Sequence, residues 1–178
     1  MSDYKAEELN FWDCTGEILN RMQRRNGGVL CTVVDKAGRQ NVLTLGWGLI
    51  GPHYHNRPIF IIAVAPPRYS WHFLEEVGEF VIAVPDDSLR YAADLCGTQS
   101  GREMDKFKAA GLIRVPSVHV RPPSIVECPI NVECRTYTKV EPPHMLLTPE
   151  HRTRPLEEQH TIYFAEVLGT YRYVAEQC

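Results

Sequence analysis

The chain has 178 residues, 44% hydrophobic and 23% charged. That is ordinary material for a soluble globular protein with one core, and by length a single domain. A net charge of −3 and a pI near 6.2 argue against partners such as nucleic acid or an anionic membrane surface. The densest basic cluster, Arg21, Arg24 and Arg25, is short. The N-terminal stretch MSDYKAEELNFWD is acidic and lacks a continuous apolar core, so it does not read as a signal peptide. The longest apolar run, residues 59–65, has the length of a strand and is too short to span a bilayer. The expectation is a cytoplasmic protein with no membrane segment. The six cysteines, Cys14, Cys31, Cys96, Cys128, Cys134 and Cys178, form no C-x-x-C pair, and buried small hydrophobes are the expectation for them. Cys96 stands apart because it opens a loop of functional interest.

In chain order, residues 5–25 carry apolar positions at helical spacing (Leu9, Trp12, Ile18, Leu19, Met22), interrupted by Gly16, which predicts one or two short helices. Gly27-Gly28 releases a β run, VLCTVVD, and the turn residues 35–38 return it as RQNVLTLGW, so residues 29–47 read as a hairpin. Pro58 starts IFIIAVA, an apolar strand that needs cover on both faces. Ser70 is placed to cap a short helix, SWHFLEEVG, closed by Gly78. A further strand, EFVIAVP, follows. Residues 88–95 and 105–110 read as two more short helices, stopped by Gly97 and Gly111. Val126, Cys128, Ile130, Val132 and Cys134 alternate with polar residues, as in a strand with one buried face, and Pro129 within it implies an edge or a bulge. Residues 141–159 form a long polar, proline-rich loop, and HTIYFAEVLGTYRYV closes the chain as a long strand. Five to seven strands at hairpin distance, with helices collected in two places, predict a mainly β protein with peripheral helices: a Greek-key barrel.

A literal G-x-G-x-x-G occupies residues 46–51, but the residues after it, PHYHNRP, cannot open the helix that a dinucleotide-binding turn requires. Three clusters suit an anionic ligand instead. They are the strand residues Asn41, Val42, Leu43 and Thr44 with Trp47 beyond; Arg68 and Ser70 where a strand meets a helix; and Ser100, Gly101 and Lys106 within CGTQSGREMDKF. Each has a plain alternative, respectively a half-exposed strand, an ordinary cap and a solvated connector. Arg102 and Glu103 read as solvated charges. His53 and His55 lack a third ligand for a metal. His144 is a loop polar group or a ligand contact, and Tyr171 and Tyr173 share a strand face as ligand platform or as core. No hydrolase or NTPase motif occurs, and no metal site is signalled.

NVLT followed by Trp47, then PIFIIAVAPPRYSWHFL, EFVIAVP and CGTQSGREMDKFKAAGL, in this order, resemble the flavin reductase-like, FMN-binding split-barrel family, most nearly its flavoredoxin branch. The resemblance runs from about Gly28 to Tyr173. It implies a single split-barrel domain over residues 1–178, with residues 1–26 as a helical N-terminal extension outside the match, and a homodimer with FMN near the subunit interface. By resemblance, Asn41 to Thr44 and Trp47 lie along the flavin, Arg68 and Ser70 hold its phosphate, Ser100, Gly101 and Lys106 cover it, and His144 and Tyr173 complete the cofactor site. No general acid or base is implied. The implied activity is electron transfer between NAD(P)H, or a reduced electron-donor protein, and flavin, a ferric chelate or a redox partner. The competing reading is a non-enzymatic barrel for haem or another aromatic ligand, with His144 or His55 as the axial group.

Overall fold

In the computed structural model, which describes residues 3–23 and 28–176, the apolar runs of the sequence become the strands of one large antiparallel sheet. The elements in chain order are β1 (Tyr4–Glu8), α1 (Phe11–Met22), β2 (Val29–Val34), β3 (Gln40–Leu45), β4 (Gly48–Pro52), β5 (Pro58–Val64), α2 (Tyr69–Val77), β6 (Glu79–Val84), α3 (Arg90–Thr98), α4 (Lys106–Ala109), β7 (Arg114–Val115), β8 (Ser124–Ile125), β9 (Ile130–Val140), α5 (Pro149–Arg152) and β10 (Thr161–Ala175). The sheet runs β3-β2-β6-β9-β10-β5-β4, with β1 also paired to β10, while β7 and β8 form a separate two-stranded ribbon. β3 and β4 are therefore consecutive in sequence yet sit at opposite ends of the ladder. The sheet curls until its apolar faces meet, and Cys31, Phe60, Phe80, Val132 and Tyr163 share one core. This is the mainly β split barrel with peripheral helices that the sequence predicts.

The hairpin of β2 and β3 pairs Val29 with Leu45 and Val34 with Gln40. Its turn is held by Asp35, whose carboxylate accepts the backbone N–H of Arg39 at 2.8 Å, and by Gly38 at φ 86°. β2 is buried along its whole length, with the barrel core on one face and the α3–α4 cluster of Leu30, Ala93, Cys96 and Phe107 on the other. Burying each such large apolar side chain contributes about 1.5–3 kcal/mol.

Several local expectations are corrected. Residues 4–8 are a strand; β1 finds a hydrogen-bonding partner in β10, with Ala6 opposite Tyr173, so only residues 11–22 of the N-terminal stretch are helical. Gly27, Arg24 and Arg25 lie outside the described residues. Arg21, in agreement with the reading of a short and unremarkable basic cluster, pairs its guanidinium with Glu17 and Asp87. Ser70 does not cap α2; the N-cap is Arg68, without a side-chain cap bond, and the Ser70 hydroxyl instead accepts Asn41 Nδ2 at 2.8 Å. Gly97 does not stop α3, which runs on to Thr98. A Cβ at Gly97 would come within 3.2 Å of the Thr44 Cβ, so the glycine lets this helix lie close on β3.

The strand expected around Pro129 begins after it, at Ile130, and is central, between β6 and β10. Its polar members Asn131 and Glu133 are buried as deeply as the apolar ones beside them, while Arg135 is exposed. Asn131 bonds the backbone of Ile125 and Cys128, and Glu133 accepts the N–H groups of Val118 and His119 at 2.7 and 2.6 Å. At Asn131 and Glu133 the outer face of β9 is thus covered by the 113–128 segment, several of whose backbone groups these two side chains satisfy. Gly78 ends α2 in the left-handed conformation, at φ 71°, as expected.

Candidate functional site

A cleft with a volume of about 350 Å³ opens where β3 runs into β4. Its floor is the strand end from Leu43 to Trp47 and the end of β5, and its walls are the start of α2 and the loop of residues 99–102. The loop is pinned onto the strand. A Cβ on Gly101 would lie 2.3 Å from Asn41 Oδ1, so only glycine allows this approach, and Ser100 Oγ accepts the Arg102 N–H at 3.2 Å. Thr44 closes the other side by donating its hydroxyl to the Ala93 carbonyl in α3. Trp47 stands at the rim, 49% exposed.

The electrostatics of the cleft are one-sided. Arg68, Arg102 and Lys106 line it, and no carboxylate does among the described residues. Arg68 sits at the start of α2, whose first turn carries no acidic residue and whose N-cap offers no side-chain acceptor. Free N–H groups at a helix start and an adjacent guanidinium form a seat for a phosphate or carboxylate. Arg102 is stacked over the Tyr69 ring, 5.0 Å from its centroid. Lys106 is 4% exposed and its ammonium donates to the Cys96 carbonyl at 2.8 Å. Burial lowers its pKa, opposed by the Cys96 thiol and assisted by Arg68. A buried ammonium bonded to a single carbonyl among the described residues retains donors for an anion. Burial pushes the Cys96 thiol up to about 11, with Lys106 opposing, so this cysteine is packed rather than reactive.

Of the twelve residues named from the sequence, nine line the cleft, and Val42, His144 and Tyr173 do not. The Val42 side chain points to the other face of β3 and is fully buried against the α3–α4 cluster. His144 is spent on the 141–159 loop itself, its N–H on the Gln159 side-chain carbonyl and its ring on the His160 carbonyl, both at 2.7 Å. Tyr173 lies at the far end of β10, packed with Val115 and Tyr171, its hydroxyl donating to the Pro116 carbonyl at 3.3 Å. Arg102, read from sequence as a solvated charge, belongs to the wall. Tyr69, Gln99 and His160 line the cleft as well and were not legible. Tyr69 could have been found as the residue between Arg68 and Ser70, whereas His160 follows a loop without periodicity. His53 packs against Tyr54 and Tyr137, away from the cleft. The glycine-rich run 46–51 leads into β4 and then a short 3₁₀ turn, with no helix to receive a pyrophosphate.

The cations that line the cleft at the open seam of the antiparallel barrel suit an anionic ligand. The chain belongs to the Flavin reductase like domain family, whose sequence profile matches residues 22–175. An uncharacterized protein of Archaeoglobus fulgidus is 35% identical over 109 residues, covering 61% of this chain and 60% of the relative. One from Pyrococcus abyssi is 37% identical over 76 residues, 43% of each. The chain thus matches less than two thirds of the length of either relative. Among solved structures, the fold is similar to flavoredoxin of Desulfovibrio vulgaris (Miyazaki F), with a TM-score of 0.64 and 23% identity over 84% of this chain and 69% of that one. It is also similar to the FMN-binding domain of a flavin reductases-like enzyme from Shewanella baltica OS155, with a TM-score of 0.66 and 17% identity over 97% and 79%. At these identities the structural likeness speaks for the fold. No helix of the described residues is long and apolar enough to cross a membrane.

Proposed function

We propose that the chain is an FMN-binding oxidoreductase that passes electrons between NAD(P)H, or a reduced donor protein, and free flavin, a ferric chelate or a redox partner. The observation that carries this reading is the set of three cations, without a carboxylate, around a cleft that also presents an uncapped helix start and a buried ammonium. The donor set fits a flavin mononucleotide. Arg68, Lys106 and the first N–H groups of α2 would hold the phosphate. Asn41, Ser70 and Ser100 supply hydroxyl and amide groups for the ribityl chain, and the backbone from Leu43 to Trp47 offers an edge to the ring. The structural neighbours, a flavoredoxin and an FMN-binding domain, support the same cofactor.

Bound FMN would supply the redox chemistry at its own ring, as hydride or single-electron transfer. The chain then has no general acid or base to provide. Its work is to fix the phosphate so that the ring has one position, to hold positive charge near a cofactor that gains negative charge on reduction, and to screen one edge with Trp47. The haem reading rested on His144 or His55; neither lines the cleft, and no observation favours it. The exposed Trp47, Leu49 and Tyr54 around β4, whose outer edge has no strand partner among the described residues, support a homodimer built on this side of the barrel.

The test is optical. Added FMN should lose its fluorescence on binding and remain yellow on the protein after gel filtration; free FMN that elutes separately with undiminished fluorescence sinks the proposal. Steady NADH or NADPH oxidation with free FMN or a ferric chelate identifies a reductase. Slow oxidation with rapid reduction by a donor protein identifies a carrier.

A further inference from the structure

His160 is the histidine among the cleft residues, and it has no role in the proposal above. It stands where the 141–159 loop enters β10, half-buried, and lines the cleft with Arg68. Its backbone is clamped: the His144 ring bonds its carbonyl at 2.7 Å, and Thr161 beside it pairs with Val64 in β5. The imidazole therefore has a fixed place at the end of the cleft, yet no side chain among the described residues is hydrogen-bonded to it. The charged groups that face it are Arg68 from the start of α2 and Arg154 and His144 from the loop. All three disfavour a proton on the ring, and only the Glu158 carbonyl favours one. Burial is the largest influence and acts in the same direction as the cations, so the pKa is lowered from its ordinary value. Without a ligand, burial and the cations favour the neutral ring.

A phosphate seated beside Arg68 would reverse that balance, because two negative charges would replace the net positive field at the imidazole. We propose that His160 is a proton-linked binding residue: when the phosphate of FMN enters the cleft, its imidazole takes up a proton from solvent and completes the anion seat with Arg68. This rests on the FMN reading and adds to it a pH-dependent affinity set by one side chain. The sign follows from linkage. A group whose pKa is higher in the complex than in the free protein binds a proton with the ligand, so affinity is greatest below the free-protein pKa and falls as pH rises through the pKa of the complex. Between those two values Kd rises by about tenfold per pH unit. The phosphate ester opposes this below its second pKa of about 6, so the histidine effect emerges above that pH.

Titration calorimetry of FMN at pH 7.0, in two buffers of different ionisation enthalpy, reads the proton directly. The expected result is uptake of roughly half a proton per FMN by the wild-type protein. Uptake close to zero is expected for His160→Gln, with FMN affinity lowered about twofold at that pH, the factor to which half a proton taken up by a neutral ring corresponds. Riboflavin, which lacks the phosphate, should bind the wild-type protein without proton uptake. His144→Gln should retain the uptake, which separates the cleft histidine from its neighbour, and His160→Asn replaces the Gln variant if the latter fails to fold. Equal uptake by wild type and the His160 variants, or uptake with riboflavin, overturns the proposal while leaving FMN binding intact. Absence of FMN binding to the wild-type protein overturns both.

Discussion

Replacing Lys106 with Met separates binding from folding, because the ammonium has opposite effects on the two. Its Nζ makes one hydrogen bond, to the Cys96 carbonyl at 2.8 Å, and no ion pair among the described residues, while the side chain is 4% exposed. In the ligand-free protein, removing it orphans that carbonyl, a cost of about 1–3 kcal/mol. It also abolishes a buried charge whose desolvation costs several kcal/mol. The two offset, so the Tm should move by no more than about 4 °C, equivalent to roughly 1 kcal/mol in a chain of this size. In the complex the same change removes a charge-assisted contact to the phosphate, about 1.5–3 kcal/mol. That corresponds to an FMN Kd weakened about 10- to 150-fold. Fluorescence titration of FMN and of riboflavin, with thermal unfolding of the ligand-free protein, measures each term. Riboflavin affinity should stay within about threefold of wild type, since no phosphate contact is lost. An FMN Kd unchanged by the substitution refutes the placement of the phosphate at Lys106.

Gly101→Ala should weaken FMN binding, because a Cβ 2.3 Å from Asn41 Oδ1 must lift the 99–102 loop or break the Asn41–Ser70 bond. The overpacking cost of about 1–3 kcal/mol is read by unfolding, and wild-type stability with wild-type affinity would contradict the close contact. The five described cysteines are all buried, and burial raises the Cys96 thiol to about 11. A thiol reagent at pH 7 should therefore leave these five unlabelled until the protein unfolds, and mass mapping that finds Cys96 modified in the folded state contradicts the packing. Glu133 has its pKa raised by burial, against the bonds from Val118 and His119 and the nearby His119 charge. A raised folded-state pKa means that its contribution is complete below the ordinary value of 4.5 and is lost as pH rises through the folded-state pKa. The stability of wild type relative to Glu133→Gln should accordingly fall across that window and level off at higher pH; a difference that grows with pH would show the carboxylate to be favoured in the fold.

The parts of the fold that were legible in the sequence are those set by local chemistry. Gly78 after the Leu-Glu-Glu-Val end of a helix, Pro58 before a continuous apolar run, and the Asp35–Gly38 turn each impose a backbone conformation regardless of context. The parts that were not legible depend on partners remote in sequence. Tyr4–Glu8 is a strand because β10 offers it an edge more than 160 residues away, as in the register of Glu7 with Arg172. Asn131 and Glu133 look like the wet side of an alternating strand, and would be one, had the 113–128 segment not folded over them with unsatisfied backbone groups. The cleft shows the same division. The cations and glycines of its loops are concentrated in short runs and stand out, while His160 is brought in by the register between β10 and β5 and carries no local mark. His144, conspicuous between prolines and an apolar triplet, turned out to hold the loop and not the ligand.

The interruption between β3 and β4 has a mechanical meaning. Everywhere else around the barrel, neighbouring strands are joined by ladders of hydrogen bonds, which resist being pulled apart. At this seam no ladder pairs β3 with β4 among the described residues, and the chain crosses it through Gly46 and Trp47, so a widening of the gap would break no ladder. Strand edges left bare in this way ordinarily invite another strand. Here the cleft lies over the opening, and a ligand in it would substitute for the missing rungs. Occupancy of the cleft and closure of the barrel would then be a single event, with the ligand acting as a removable rung of the sheet.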